Sequence, residues 1–456
     1  MAAPSHPATA GQGRTREKAP DLRDGGKIQA AIEVLRDVLE RRTPVKDAVR
    51  DWGKRSRFAG SRDRAWISGL VVDALRRKNS IEHAMEATGP RALALGALKH
   101  AWGWDVRKIE EALKDDHAPP PLQGKERENL LLAPDPAAPP HIQGDYPEWL
   151  APHLQRAFGP DAVPEAMVMA TRAPIDLRVN TLKSDPEKAG RALEGVKARQ
   201  MPELKNGFRI PAADSIERGE AVEAIPAYSK GWVEVQDMGS QIAAAASCAA
   251  PGEQVLDYCA GGGGKTIAMA AMMENKGQIF AHDIDGRRLS ALIPRIERAA
   301  IRNVQLRHPK ENASIEDLTS AMDLVMIDAP CTGVGTWRRK PDSKWRVQPN
   351  ALEKRSQDQA MILRTACNYV KPGGRLVYVT CSFLMEENED QFASFLADRT
   401  DFKAEDAAEA AIKSGQLTEV GAKLVRKCRR PDGSVRLTPR TAGTDGFYMA
   451  VMRRAG

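Results

Sequence analysis

Two cysteines occupy positions in the sequence that favour chemistry over packing. Cys331 ends the motif Asp-Ala-Pro-Cys that begins at Asp328, and Cys381 is the centre of Thr-Cys-Ser; each motif directly follows an apolar run typical of a β-strand. A single cysteine is most often a small buried hydrophobic residue. Two of them at the ends of neighbouring predicted strands, one beside a carboxylate, predict a shared site, because ligands of parallel sheets bind beyond the carboxyl ends of the strands.

A thiol, a carboxyl group and a second thiol or base are the groups needed to methylate a pyrimidine at carbon 5. That carbon is a weak nucleophile until a thiolate adds to carbon 6 and converts the ring into an enamine. A carboxyl group can hydrogen-bond the ring nitrogen as the adduct forms, and a base must then remove the proton from carbon 5. Cys331, Cys381 and Asp328 are groups of these kinds.

A glycine-rich segment between a predicted strand and a predicted helix has the composition of a binding loop. Its residues are Cys259, Ala260, Gly261, Gly262, Gly263, Gly264 and Lys265. Successive glycines let backbone amides approach a ligand closely, whereas a phosphate-binding P-loop would require glycine at Cys259 and is therefore disfavoured. Asp283 follows Gly264 by 19 residues. An acid at this spacing can accept the hydroxyl groups of a ribose, so we predict a dinucleotide or S-adenosylmethionine as cofactor.

Composition limits the class of protein. The 456 residues include 68 Lys and Arg against 61 Asp and Glu, and the net charge of +7 favours an anionic partner without proving one. No apolar run has the length of a membrane span, so we expect no membrane partner. The six cysteines show no CxxC spacing. We therefore predict reduced thiols in a cytoplasmic protein, with neither a disulfide framework nor a metal site.

The elements that must position these residues divide the chain into five regions. Residues 1–20 are expected to be disordered, and apolar residues at helical spacing predict a helical domain with a basic edge over 21–117. Dense prolines predict a linker without regular structure over 118–147. Mixed strand and helix signals predict a small α+β module over 148–235, and residues 236–456 form the predicted catalytic domain.

Strands and helices alternate in the predicted catalytic domain, which indicates a mostly parallel sheet covered on both faces. The predicted strands are 254–258, 278–283, 304–307, 324–328 and 375–380, and the predicted helices are 265–275, 286–300, 352–370 and 387–397. The glycine-rich segment and both cysteine motifs follow strands of this set, so all three are expected at one edge of the sheet.

Several short motifs together match one known pattern. They lie at residues 259–266, 328–342, 380–388 and 445–447, with further matches at 177–180 and 235–241. In these motifs the chain resembles the RsmB/NOP/Sun family of RNA cytosine-5 methyltransferases. The resemblance implies an α/β fold with a class I, Rossmann-like methyltransferase domain that uses S-adenosylmethionine. It also implies that a small α+β RNA-binding module and a helical, NusB-like domain precede the catalytic domain.

The resemblance implies roles that spacing leaves open. Cys381 would be the nucleophile, Cys331 would assist product release, and Asp328 would lie between cofactor and target base. Residues 259–265, together with Asp283 and Asp328, would hold S-adenosylmethionine.

Two departures from the family pattern concern the cofactor. The family has Ala-Pro at the positions of Gly261 and Gly262. An acid that contacts adenine is expected near Pro309, where no Asp stands; the neighbours that could replace it are His308, Lys310 and Glu311.

Basic and aromatic residues follow the first cysteine motif. Trp337, Arg338, Arg339 and Lys340 are predicted to contact RNA, and the run 344–346 adds two more cations and a tryptophan. Cations bind phosphates and aromatic faces stack on unpaired bases. The predicted substrate is ribosomal RNA, with transfer RNA as a further candidate.

Two other functions stay open at this point. One is a non-catalytic or weakly active RNA-binding ribosome assembly factor that retains the fold, because the departures in the cofactor motifs could weaken cofactor binding. A nicotinamide-dependent dehydrogenase is a distant third, since nothing near the glycine-rich segment indicates a hydride-transfer site.

Overall fold

The computed structural model describes residues 22–133, 135–212, 222–309 and 315–456. The predicted disordered start, residues 1–20, lies outside these ranges. The described chain consists of a helical N-terminal region, a small antiparallel sheet and a larger mixed sheet. Within the described residues, no helix combines the length and apolar composition needed to cross a lipid bilayer.

Helices form the N-terminal region, as the apolar spacing predicts. They are Asp24–Glu40, Val45–Arg55, Ser61–Arg76, Lys78–Ala84, Pro90–His100 and Val106–Ala112. Their apolar faces meet in one buried cluster that includes Leu35, Ile67 and Leu93. Burial of such a stripe stabilises short helices that would be marginal in isolation.

The proline-rich segment contains two short helices, Glu126–Leu131 and Pro140–Gln143, so the expectation that 118–147 lacks regular structure is wrong. Proline suits the first turn of a helix, because the amide there has no helical partner, and Pro140 occupies that position. The amide of Asn79 donates hydrogen bonds to the carbonyl groups of His141 and Tyr146. The segment is therefore packed against the helical region.

A four-stranded antiparallel sheet forms the core of the small α+β module. Its strands are β1 (Ile175–Val179), β2 (Arg199–Gln200), β3 (Gly207–Ile210) and β4 (Val233–Val235), in the order β2-β3-β1-β4. The helices around it are Ala151–Phe158, Ala162–Met169, Pro186–Leu193 and Pro226–Ser229. Buried Asp176 on β1 accepts hydrogen bonds from Arg209 and from the backbone amide of Met238, which joins the module to the catalytic domain.

The catalytic domain contains a mixed eight-stranded sheet. Its strands are β5 (Gln254–Asp257), β6 (Gln278–His282), β7 (Val304–Arg307), β8 (Met322–Asp328), β9 (Val370–Thr380), β10 (Phe402–Glu405), β11 (Val435–Leu437) and β12 (Phe447–Arg454). The order is β10-β12-β9-β8-β5-β6-β7, and β11 pairs with β12. Strands β5 to β9 are parallel, as predicted, whereas β12 pairs antiparallel with β9, β10 and β11.

Helices cover both faces of this sheet. The helices of this domain are Met238–Ala245, Gly264–Met272, Gly286–Ser290, Ile293–Ala299, Pro341–Arg346, Pro349–Ala366, Glu389–Asp398, Ala407–Lys413, Glu419–Lys427 and Pro439–Ala442, and Pro341–Arg346 packs against the helical region. Two apolar clusters, which contain Val255 and Leu256 respectively, lie on opposite faces, because successive residues of a strand point to opposite sides. The predicted helix over 286–300 is two helices in the structure, with Pro294 in the first turn of the second.

Candidate active site

The two cysteines meet at the carboxyl ends of neighbouring parallel strands. Asp328, the last residue of β8, is paired with Val379 of β9, so the segments that follow both strands leave the sheet side by side. The Sγ atoms of Cys331 and Cys381 are 3.3 Å apart, and both residues are half-buried. The prediction that the sheet brings the two thiols together therefore holds in the structure.

The environment of Cys331 favours its neutral form. The hydrogen bond with Cys381, burial, and the nearby Glu387 carboxylate raise the pKa of the Cys331 thiol well above its ordinary value. At neutral pH this group therefore retains its proton. A thiol that holds its proton next to a second sulfur can donate a hydrogen bond to a thiolate there.

Buried Glu387 fixes the loop that carries Cys331. Its carboxylate accepts hydrogen bonds from the Thr332 backbone amide at 2.7 Å and the Thr332 hydroxyl at 2.6 Å. The Gln359 amide donates a third at 3.2 Å. Sequence reasoning placed Glu387 in a matched motif without a role. Only the folded chain shows that it ties the loop after β8 to the turn after Cys381.

The glycine-rich segment forms the turn between β5 and the helix Gly264–Met272. Gly261 and Gly263 have φ angles of +53° and +78°, which L side chains rarely adopt. A Cβ atom on Gly263 would lie 1.9 Å from Leu292, and one on Gly261 would lie 2.8 Å from the Arg288 guanidinium. Arg288 therefore lies where the Ala of the family pattern would place its methyl group.

Asp283 is held against this loop. Its carboxylate accepts a hydrogen bond from the Gly261 amide at 2.8 Å and another from the Asp285 amide at 2.8 Å, and only 4% of the residue is exposed. The amide of Ala260 donates to the His282 carbonyl, which joins the loop to the end of β6. The predicted pairing of the glycine loop with the distal acid is thus present in the geometry.

Lys265 and Asp328 form an ion pair beside the loop. The Lys265 Nζ atom is 2.7 Å from Asp328 Oδ2, and Lys265 is buried. Lys265 lies in the first turn of the helix that follows the loop, and Asp328 ends β8. The carboxylate that precedes Cys331 by three residues is therefore oriented by a cation from the loop.

Three carboxyl groups around the loop fit a cationic nucleoside. Burial raises the pKa of Asp257 to about 7, and the charges of Asp328 and Asp283 contribute to the rise. Thr266 donates to Asp257 Oδ2 at 2.6 Å, while Oδ1 has no hydrogen-bond partner among the described residues. A positively charged ligand would offset the repulsion among these carboxylates, and a donor group on it would supply the hydrogen bond that Oδ1 lacks.

The acid expected near Pro309 has no replacement that the structure identifies. His308 is close to the helix that follows Asp283, since a Cβ atom on Gly286 would lie 2.1 Å from its Nε2. The other two candidates, Lys310 and Glu311, lie outside the described residues.

The predicted RNA contacts of Trp337, Arg338 and Arg339 are not supported by the structure. Trp337 is 1% exposed and packs edge-on against Phe383, and Arg338 is buried with its guanidinium on the Thr444 carbonyl. Arg339 bridges Asp237 at 2.8 Å and Asp445 at 2.5 Å. Charge and aromatic character predicted exposure, but these side chains are turned into the protein, where the Nε1 atom of Trp337 and the Nε atom of Arg338 have no hydrogen-bond partner among the described residues.

Residues 341–346 join the catalytic domain to the helical region. The Lys344 ammonium donates to the Arg76 carbonyl at 2.9 Å, and the Trp345 indole donates to the Leu75 carbonyl at 2.7 Å. Burial lowers the pKa of Lys344 to about 8. Of the four predicted RNA-contacting residues at 337–340, only Lys340 is exposed.

The fold and the site together define a Rossmann-like domain with a glycine-rich loop and two adjacent thiols at the carboxyl ends of its parallel strands. Two family models match the chain: the 16S rRNA methyltransferase RsmB/F model over residues 247–453, and the ferredoxin-like domain of RsmF/B-like methyltransferases over residues 146–217. The chain belongs to the RsmB/F methyltransferase family in both regions and is an enzyme of that family. The recognition made from the motifs is confirmed, as is the α+β module.

Two curated relatives carry related names. The probable ribosomal RNA small subunit methyltransferase B of Synechocystis is 26% identical over 94% of this chain and 99% of its own length. The ribosomal RNA small subunit methyltransferase B of Salmonella paratyphi A is 34% identical over 55% of this chain and 57% of its own. Among solved structures, the protein PH0851 has 25% identity and a TM-score of 0.71, covering 96% of this chain and 100% of that chain. The similarity therefore includes the helical N-terminal region.

Proposed function

We propose that the protein methylates carbon 5 of a cytosine in ribosomal RNA, with S-adenosylmethionine as methyl donor and Cys381 as nucleophile. The observation that carries the proposal is the 3.3 Å contact between the sulfur atoms of Cys381 and Cys331 beside the loop that Asp283 and Lys265 frame. The relatives' names support ribosomal RNA as the substrate class, and we propose the cytoplasm as the compartment.

Each residue of the site has a distinct part in the proposed reaction. Cys381, as the thiolate, forms a bond from sulfur to carbon 6 of the ring, and the electron pair of the 5,6 double bond becomes available at carbon 5. Asp328, oriented by Lys265, hydrogen-bonds the ring at its nitrogen edge. When bound, S-adenosylmethionine supplies an electrophilic methyl group. The loop amides and Asp283 would hold it, and the unpaired oxygen of Asp257 favours its positive charge.

Release reverses the covalent step. Water takes the proton from carbon 5, the double bond re-forms, and the bond between Cys381 and carbon 6 breaks so that sulfur leaves as a thiolate. Cys331, whose raised pKa keeps it protonated, lies one hydrogen bond away and stabilises the departing sulfur. Without Cys331, the covalent adduct between Cys381 and the RNA would persist.

The test uses purified protein, labelled S-adenosylmethionine and a small-subunit ribosomal RNA transcript. We expect Cys381→Ala to reduce methyl transfer at least 1000-fold, and Cys331→Ala to leave a protein–RNA adduct that survives a denaturing gel. Cys248→Ala is the matched control, because that half-buried thiol donates to the Ala410 carbonyl instead. Wild-type rates in Cys381→Ala would overturn the covalent mechanism.

Analysis of the product separates the site of methylation from the mechanism. Digestion of the labelled RNA to nucleosides should yield 5-methylcytidine; a methyl group on a ribose or an exocyclic nitrogen would overturn carbon-5 specificity. Calorimetry with S-adenosylmethionine addresses the non-catalytic assembly factor, a candidate favoured by Arg288 at Gly261. Absence of binding in the micromolar to millimolar range would favour that function over methyl transfer.

A further inference from the structure

A cleft separates the helical N-terminal region from the catalytic domain. Its volume is about 1050 Å³, and its walls come from the segments 44–76, 172–173 and 338–346. Eight lysines and arginines line it against two aspartates. Acids outside the lining neutralise two of these cations, since Arg338 and Arg339 pair with Asp445 and Asp237. The remaining excess is still larger than the +7 of the whole chain would give by even distribution, so the cleft concentrates positive charge.

Three of these cations are available to a ligand. Lys46, Arg64 and Lys340 are exposed, and no ion pair involving them occurs within the part of the chain that the structure describes. The two aspartates of the cleft are already engaged, since Asp73 pairs with Arg172 and Asp342 pairs with Arg346. The field in the cleft is therefore not neutralised by its own acids.

The cleft is connected to the reactive edge by a short stretch of chain. The amide of Gly335 donates to the Cys381 carbonyl at 3.0 Å, and Lys340 follows five residues later. Five residues span at most about 18 Å when fully extended. A polyanion whose base reaches Cys381 can therefore place a phosphate a few nucleotides away at Lys340.

An exposed aromatic residue, Phe58, precedes by three residues Ser61, which lines the other wall of the cleft. Phe58 is 58% exposed and sits between Arg57 and the helix Ser61–Arg76, which carries Arg64 on its first turn. A ring next to a cationic groove is the combination that stacks on unpaired bases while the groove follows the backbone.

We propose that this cleft binds a single-stranded segment of RNA next to the target base, with Lys46, Arg64 and Lys340 on successive phosphates and Phe58 stacked on a base. The inference rests on the proposed function for its substrate class. It commits to a single strand because the target base must leave its stack to reach a thiol, which is easiest where the RNA is unpaired.

The experiment measures fluorescence anisotropy of a labelled 20-nucleotide single-stranded RNA of mixed sequence between 50 and 300 mM KCl. The protein carries Cys381→Ala and no cofactor is added, so binding is read independently of methyl transfer. We expect Lys46→Ala/Arg64→Ala/Lys340→Ala to weaken binding at least tenfold at 50 mM KCl. The slope of log K against log salt should fall by about 2, because each lost single-strand phosphate contact contributes about 0.7.

The matched control removes the same charge elsewhere. Lys403→Ala/Lys423→Ala/Lys427→Ala changes three exposed lysines of the C-terminal part. It should alter the slope by well under 1; an equal loss in this control, or an unchanged cleft variant, would overturn the inference. Phe58→Ala should weaken binding about fivefold with the slope intact, and unchanged affinity would overturn the stacking role.

A duplex probe tests the commitment to a single strand. We expect a fully paired RNA of the same length to bind at least tenfold more weakly than the single strand, and equal affinity would overturn that commitment. Failure of methyl transfer in the wild type, with cleft binding as expected, would contradict the proposed function alone. Normal methyl transfer with unaltered binding by the cleft variant would contradict the cleft alone.

Discussion

Two regions of the molecule contain the residue types that suggest contact with a substrate, but folding exposes these groups in one region and buries most of them in the other. At the strand ends, Cys331, Cys381 and Asp328 converge within reach of one ligand. In the segment 337–346, tryptophans, arginines and a lysine are turned inward and hold two domains together. A side chain can contact a substrate only where its atoms stay accessible after folding. In a parallel sheet the carboxyl ends of the strands are such places, because ligands bind beyond them.

Among the variants that test this contrast, we expect the largest effect from replacing Arg339. Replacing it with Ala leaves the Asp237 and Asp445 carboxylates without this cation, and Arg338, 3.6 Å from Asp445, is a more distant partner, so we expect the free energy of unfolding to fall by about 3 to 5 kcal/mol. Urea denaturation measures the loss. Arg339→Lys should recover part of it. If Arg339→Ala instead leaves stability intact and weakens RNA binding, the segment belongs with the substrate surface.

At the reactive edge, Asp257 makes the stability of the folded protein depend on pH. Its pKa is about 7 in the folded protein against 3.8 for an ordinary Asp, so the folded state binds more protons between these values. Stability from this group is therefore lost as pH rises from about 4 to 7, by about 4 kcal/mol in total. The free energy of unfolding of Asp257→Asn, relative to that of wild type, should therefore rise by about 4 kcal/mol between about pH 4 and pH 7. Denaturant titrations at several pH values measure it, and a flat difference would contradict the burial.

In the segment 341–346, which joins the two domains, Lys344 makes stability depend on pH in the opposite direction. Its pKa is about 8 when folded against 10.5 ordinarily, so the unfolded state binds more protons between these values. Stability from this group therefore rises as pH increases from about 8 to 10.5, by about 3 kcal/mol. The difference between wild type and Lys344→Met should grow in favour of wild type over that range. No change with pH would mean that Lys344 is not held in the interface.

Glu387 tests positioning at the reactive edge. Glu387→Ala removes the acceptor for Thr332, so we expect kcat to fall about 50-fold to 100-fold with KM for RNA nearly unchanged. Glu387→Gln keeps an acceptor and should retain activity within about tenfold of wild type. A purely structural role would instead lower stability in both variants and leave kcat per folded molecule unchanged, as thermal unfolding alongside the kinetics would show.

Prediction from sequence succeeded where the signal is local. The helical N-terminal region follows from apolar periodicity, and the mostly parallel sheet follows from alternating strands and helices. It failed where one residue changes an element: Pro294 divides the predicted helix 286–300, and Pro140 starts a helix inside the supposed linker. The two errors are opposite in kind: the predicted helix ran through Pro294 although a proline in a helix interior breaks it, and Pro140 was counted as a breaker although it occupies a first turn.

The sequence by itself determined which groups are present and which strand ends carry them, because motif spacing and side-chain periodicity are properties of the chain. Only the tertiary structure decided which of those groups touch. The 3.3 Å contact of the two thiols, the Lys265–Asp328 pair and the burial of Trp337 against Phe383 depend on partners more than 40 residues apart in sequence. Such pairings are set by packing and by the desolvation of charge, which no short window of residues contains.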